Sequence, residues 1–137
     1  MIPYLILDTS VYIQHFRFGK TPITLYNHQF LIRNSAIVLA ELYRGCRNQK
    51  EKNEIDELSA GFPIVTPTEK IWMESGQLLS HMLQKKKLSA DYVKNLHFDV
   101  LIALTARSIG GTVMTYNKQD FEEILKIKDF KLITLEK

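Results

Sequence analysis

Apolar residues in this chain fall into short blocks, and the blocks alternate between strand-like runs and helical spacing. Tyr4-Leu5-Ile6-Leu7 is a continuous apolar run that stops at Asp8-Thr9-Ser10, which predicts a buried strand running into a helix start. Val11, Tyr12, Ile13 and Phe16 then recur at helical spacing, until Gly19 and Pro22 break the pattern. Phe30-Leu31-Ile32 predicts a second strand. Ser35 is suited to cap a helix over residues 36 to about 45, where Gly45 suits the C-terminal turn. A polar helix over about 49–59 and a third strand at Pro63-Ile64-Val65 follow. Residues 68 to about 87 read as a long amphipathic helix, with Ile71, Leu78, Leu79, Met82 and Leu83 on or near one face. The stretch 95–109 is apolar nearly all round, as a buried helix is, and Gly110-Gly111 ends it. Thr112-Val113-Met114-Thr115 predicts a fourth strand. Asn117 caps another helix, and Lys131-Leu132-Ile133-Thr134-Leu135 closes the chain as a fifth strand.

Strands alternating with helices predict an α/β fold, with a mainly parallel central sheet of about five strands covered on both faces. Ligands of such sheets bind beyond the carboxyl ends of the strands. The 137 residues carry no repeat and no linker rich in Pro, Gly or Ser, so 1–137 reads as a single domain. Hydrophobic residues make up 45% and charged residues 24%, a globular balance that argues against a disordered chain. The single cysteine, Cys46, rules out an internal disulfide and suits a reducing, cytoplasmic setting. The N-terminal apolar run lacks a basic flank and is too short for a signal peptide or a membrane span. A net charge of +3 permits an anionic partner such as nucleic acid without demanding one.

The acidic residues change this picture. Asp8 directly follows the first strand and so lies at the carboxyl edge of the sheet; taken alone, it reads first as a helix cap. Glu41 interrupts Ala36-Ile37-Val38-Leu39-Ala40-Glu41-Leu42-Tyr43. There it is either a surface residue paired with Arg44 or Arg47, or a buried charge that needs a cation or a shifted pKa. Asp99 stands in a similar apolar stretch; the helix dipole would account for it structurally, but the apolar residues around it favour a functional reading. Asp120 falls three residues after Asn117, a reciprocal capping spacing with Asp in place of the usual Glu or Gln. Thr115 and Asn117 follow a strand and are suited to orient a ligand or water. Carboxylates converging on one sheet edge repel one another unless a cation sits among them. Oxygen ligands favour Mg²⁺ or Mn²⁺ over zinc, and no Cys/His set has zinc spacing. His15, His28, His81 and His97 are scattered and read as surface or core residues. No phosphate-binding P-loop, GxSxG or dinucleotide GxGxxG is present.

Four segments occur in a telling order: Leu5-Ile6-Leu7-Asp8-Thr9-Ser10, Ala40-Glu41-Leu42-Tyr43-Arg44-Gly45, Phe98-Asp99-Val100-Leu101-Ile102-Ala103-Leu104-Thr105-Ala106 and Thr115-Tyr116-Asn117-Lys118-Gln119-Asp120-Phe121. Together they resemble the PIN-domain nucleases, most closely the VapC-type toxins of toxin–antitoxin pairs, and the resemblance spans essentially the whole chain. It implies a PIN-like three-layer α/β/α sandwich. It implies that Asp8, Glu41 and Asp99 bind Mg²⁺ or Mn²⁺. Asp120 matches the fourth acid, although some relatives carry that acid where this chain has Asn117. Thr115 matches a hydroxyl kept beside the metals, with Thr9 and Ser10 in similar supporting parts. The implied reaction is metal-assisted hydrolysis of RNA phosphodiester bonds. Arg44 and Arg47 are candidate phosphate contacts, as is Lys85-Lys86-Lys87, which also reads as a solvated helix end. The implied partners are a second copy in a homodimer and a cognate antitoxin protein. Tyr12, Ile13, Phe16 and Tyr43 are candidates to line the antitoxin's groove, with Ile13 and Tyr43 read preferentially as core.

Three other readings compete. A receiver- or phosphatase-type Mg-binding domain also places carboxylates at strand ends, but Asp8-Thr9-Ser10 lacks the second acid such sites need. A PIN-like module that binds RNA or a partner without cutting is opposed by the complete set of acids. Cleavage of DNA, as in flap-type relatives, is opposed by a chain too short for their added clamp elements.

Overall fold

The computed structural model describes residues 2–19, 28–85 and 88–137. Pro22, Lys86 and Lys87, which the sequence places at a break and at a helix end, lie outside these residues. Strand β1 (Tyr4–Leu7) is followed by helix α1 (Thr9–Phe18), which Gly19 ends in a left-handed conformation at φ 63°. Next come β2 (Leu31–Ile32), β3 (Asn34–Ser35), α2 (Ala36–Arg44), α3 (Gln49–Gly61) and β4 (Ile64–Val65). The second half holds α4 (Glu69–Lys85), α5 (Ala90–Asn95), α6 (His97–Ser108), β5 (Thr112–Thr115), α7 (Lys118–Leu125) and β6 (Lys131–Thr134).

The main sheet has four strands, all parallel, in the order β2-β1-β5-β6. The α/β fold with a mainly parallel sheet is as expected, but the strand at Ile64-Val65 does not join that sheet. It pairs in parallel with Asn34-Ser35 to form a separate two-stranded ribbon. Asn34 fastens the ribbon: its Nδ2 donates to the carbonyls of Leu58 and Phe62 at 2.8 and 3.1 Å. Leu5, Ile6, Leu7 and Val113 are buried between helices, and the run Val100–Ala106 of α6 is buried throughout.

Local chemistry explains most boundaries. Ser35 caps α2, its Oγ accepting from the amides of Ile37 and Val38. Asn48 caps α3 and Thr68 Oγ1 accepts from the Ile71 amide at the start of α4. The helix expected over 95–109 is present as α6, and a short helix not expected from the sequence precedes it, started by Ser89 accepting from the Tyr92 amide and ending at Leu96. On α4, Ile71 and Met82 are buried, whereas Leu83 is 43% exposed and leaves the expected apolar face. Gly111 allows a close approach: a Cβ there would stand 3.2 Å from Tyr4 Cβ and 3.3 Å from its carbonyl oxygen. No described helix is long and apolar enough to cross a membrane.

Candidate active site

The connection out of β1 runs to β2 on one side, and β5 leads to β6 on the other, so the chain reverses direction between β1 and β5. That switch point is where parallel sheets leave a crevice beyond the strand ends. The Asp8 amide donates to Met114 O at 2.9 Å, which extends the β1–β5 ladder by one bond and sets Asp8 beside Thr115. Asp8 is 3% exposed. It holds the cap position of α1, yet its side chain makes no cap bond. Instead its Oδ2 accepts from Thr115 Oγ1 at 2.7 Å and from Ser10 Oγ at 2.9 Å. A hydroxyl has one proton, so both protons are committed to Asp8. Each hydroxyl also accepts: Ser10 Oγ from the Tyr116 amide and Thr115 Oγ1 from the Asn117 amide. The loop after β5 is thereby tied to the start of α1. Burial pushes the Asp8 pKa up, and the Thr115 and Ser10 hydroxyls partly counter it.

Glu41, near the end of α2, is half-buried and reaches the same region. Its Oε1 accepts from Thr9 Oγ1 at 2.7 Å, and Arg44 Nη2 lies 3.9 Å from its Oε2. Burial and the Asp8 charge raise its pKa, while Thr9 and Arg44 hold it down. Both expectations for Glu41 are therefore met in part: it is partly buried, and it pairs with Arg44. Arg47 does not take part, since its guanidinium is forked onto Glu51 at 2.7 and 3.1 Å.

Asp99 sits in the first turn of α6, where the helix dipole favours an anion. The dipole is outweighed. Burial comes first, and the charges of Asp8, Glu41 and Asp120 add to it, so the Asp99 pKa is pushed up to about 8. Four acids distant in sequence thus share one electrostatic neighbourhood.

Asp120 is not the helix cap its spacing suggests. The Asn117 amide goes to Thr115 Oγ1 rather than to Asp120, and the Asn117 side chain makes no cap bond. Asn117 Nδ2 instead donates to Asp120 Oδ2 at 2.9 Å, and Tyr92 Oη donates to Asp120 Oδ1 at 2.8 Å. Tyr92 was not singled out by the sequence. The one local signal near it is Ser89, whose capping predicts a helix there but not a contact across 28 residues.

All donors in the crevice are oxygens, the set that suits a hard divalent ion. As placed, no three Asp, Glu, His or Cys side chains among the described residues stand close enough to enclose an ion. His97 is held elsewhere: it shares a hydrogen bond with Ser75 Oγ at 3.0 Å and meets Trp72 edge-on.

Of the residues suggested to line a partner's groove, Tyr12 is buried. Ile13 and Phe16 border a small pocket with Arg17, Leu42 and Ile55. Tyr43 is not core: it is 38% exposed and donates to Asp56 Oδ1 at 2.5 Å.

Residues 5–126 match the sequence profile of the PIN domain. The chain belongs to the PIN domain family. Nucleases are the general rule in that family, and the four motifs containing Asp8, Glu41, Asp99 and Asp120 all lie within the matched stretch. Solved structures share the PIN fold over nearly the full length. One chain of VapBC2 from Rickettsia felis, crystallised with a DNA fragment from their promoter, is 21% identical with a TM-score of 0.75, covering 97% of this chain and 99% of that one. VapBC-1 from nontypeable Haemophilus influenzae is 22% identical with a TM-score of 0.73, covering 96% and 97%. FitAcB from Neisseria gonorrhoeae is 25% identical with a TM-score of 0.65, covering 95% and 96%. No curated protein matches the chain in sequence.

Proposed function

We propose that this PIN domain, residues 1–137 acting as one unit, is a divalent-metal-dependent endoribonuclease and the toxin of a VapBC-type toxin–antitoxin pair. The observation that carries the catalytic reading is the Asp99 carboxyl. It is pushed up to about 8 by burial and by Asp8, Glu41 and Asp120 together. A family of soluble folds has little structural use for four coupled acids at a sheet's switch point, whereas a cation relieves their repulsion.

Asp8, Glu41, Asp99 and Asp120 would hold Mg²⁺ or Mn²⁺, with Asp8 fixed by Thr115 and Ser10. An ion held there would supply a bound water of lowered pKa near neutral pH and positive charge beside the phosphate. The chain's own residues set the rest. Thr115 and Ser10 aim one Asp8 oxygen, Thr9 aims one Glu41 oxygen, and Tyr92 and Asn117 hold Asp120. Arg44, largely exposed at the rim, meets the RNA phosphates. No side chain forms a covalent intermediate, and Cys46 has no catalytic part.

The structural neighbours are VapBC and FitAB assemblies, which supports a cognate antitoxin as partner, with homodimerisation and a cytoplasmic setting as further parts of the same reading. The test is direct. Purified protein should degrade single-stranded RNA with Mg²⁺ or Mn²⁺ and stop in EDTA. Asp8→Asn and Asp99→Asn should each abolish cleavage while circular dichroism stays native. Cleavage that survives both substitutions sinks the proposal. A co-purifying small protein encoded next to this chain supports the antitoxin assignment.

A further inference from the structure

A groove of about 340 Å³ opens beside the acidic crevice, lined by Glu41, Arg44, Lys94, Asn95, His97 and Phe98. It lies between the end of α2 and the α5–α6 junction, the break at Leu96 that separates two helices. Glu41 lines the groove and accepts from Thr9, the residue beside Asp8, so the groove and the crevice share one wall.

The chemistry of its walls is not that of the crevice. Lys94 is exposed and makes no ion pair among the described residues. The Arg44 guanidinium lies over the Phe98 ring, 5.5 Å from its centroid. Such a pair is a flat platform of the kind on which unpaired bases stack. Asn95 adds an amide able to donate and accept at once. His97 is fixed by Ser75 and Trp72, which makes that wall rigid. Two cations, a stacking surface and an amide, in a space on the scale of a single nucleotide, are the parts of a site for single-stranded nucleic acid.

We infer that this groove carries the strand of the RNA substrate away from the scissile phosphate, with Lys94 and the edge of Arg44 on the next phosphate and a base stacked on the Arg44–Phe98 pair. The inference rests on the ribonuclease reading, because the wall that the groove shares with the crevice at Glu41 is what selects RNA over another anionic ligand.

Binding is read by fluorescence anisotropy of a labelled oligouridylate on Asp8→Asn protein in EDTA, so that neither hydrolysis nor a divalent ion enters the measurement. Lys94→Ala and Arg44→Ala should each weaken binding several-fold. Each should also flatten the dependence of log affinity on log salt by about 0.7. Lys94→Arg should restore both. In protein with Asp8 intact, Lys94→Ala should raise KM for RNA with little change in kcat. Undetectable binding, or affinity and salt slope unchanged by both alanine variants, overturns the groove assignment even if the protein cuts RNA. Failure of the protein to cut any RNA overturns the ribonuclease reading instead, and the binding measurement still decides the groove.

Discussion

Asp99 carries a direct conflict between function and stability. In the unfolded chain its carboxyl releases a proton near 3.8, whereas in the fold it holds the proton up to about 8. Between those values the folded state binds more protons than the unfolded state, so stability falls as pH rises. Burial shifts Asp8 and Glu41 in the same direction. In EDTA, thermal melts of the native sequence should therefore show a Tm that drops from about pH 5 to about pH 8. Asp99→Asn should flatten that drop and melt higher at the alkaline end while losing cleavage. A variant that melts lower than the native protein at every pH would show that the charge is not strained. Asp120 gives a second residue-scale prediction. Tyr92 donates to one of its oxygens from another helix, so Tyr92→Phe removes a positioning bond without removing the acid. Loss of such an outer partner lowers activity or metal affinity about 10- to 100-fold. The change should appear as a Mn²⁺ titration shifted to higher concentration, with activity rescued in part by more Mn²⁺; an unaltered metal titration would count against the role.

The elements were legible in the sequence where a single physical signal dominates. The run Tyr4–Leu7 ending at Asp8, the Ser35 cap and the apolar stretch around Asp99 each placed an acid correctly on its element. What stayed hidden depends on contacts across the chain. The ribbon of β3 and β4 has two residues per strand, too short for any periodicity, and its fastening by Asn34 depends on carbonyls at Leu58 and Phe62. The short helix Ala90–Asn95 was missed because six residues are too few to show a helical period. The capping alternative for Asp120 falls away too: spacing shows which groups can meet, not that Thr115 has already taken the Asn117 amide. The α2 cap supports a prediction at this scale. Ser35 is 1% exposed and accepts from two amides, so Ser35→Ala should cost about 1–2 kcal/mol of stability in chemical denaturation. Since Glu41 lies at the far end of that helix, cleavage below the melting range should persist. Loss of cleavage without loss of stability would show instead that the cap sets the site.

At the scale of the whole molecule, the fold concentrates like charge at the topological switch point between β1 and β5 and lets the rest of the chain bear the strain. Strands β1 and β5 hold Asp8 and Thr115 on adjacent rows, and packed helices bring Glu41, Asp99 and Asp120 to the same end. A ligand that binds the folded state alone stabilises it by mass action, about 2.7 kcal/mol at a hundred times its Kd. For a domain of this size each kcal/mol moves Tm by about 3–5 °C. Saturating Mn²⁺ should accordingly raise Tm by about 10 °C, with no RNA present. The sign of the pH dependence should also invert. Without the ion, stability falls toward about pH 8 as Asp99 ionises; with the ion, ionised carboxylates are its ligands, and the stabilisation should grow over the same range. Asp8→Asn should remove most of the Mn²⁺ shift while leaving the protein folded. A Tm shift of the same size in Asp8→Asn protein would mean that Mn²⁺ acts at the general surface, and the switch-point crevice would lose its claim to be the metal centre.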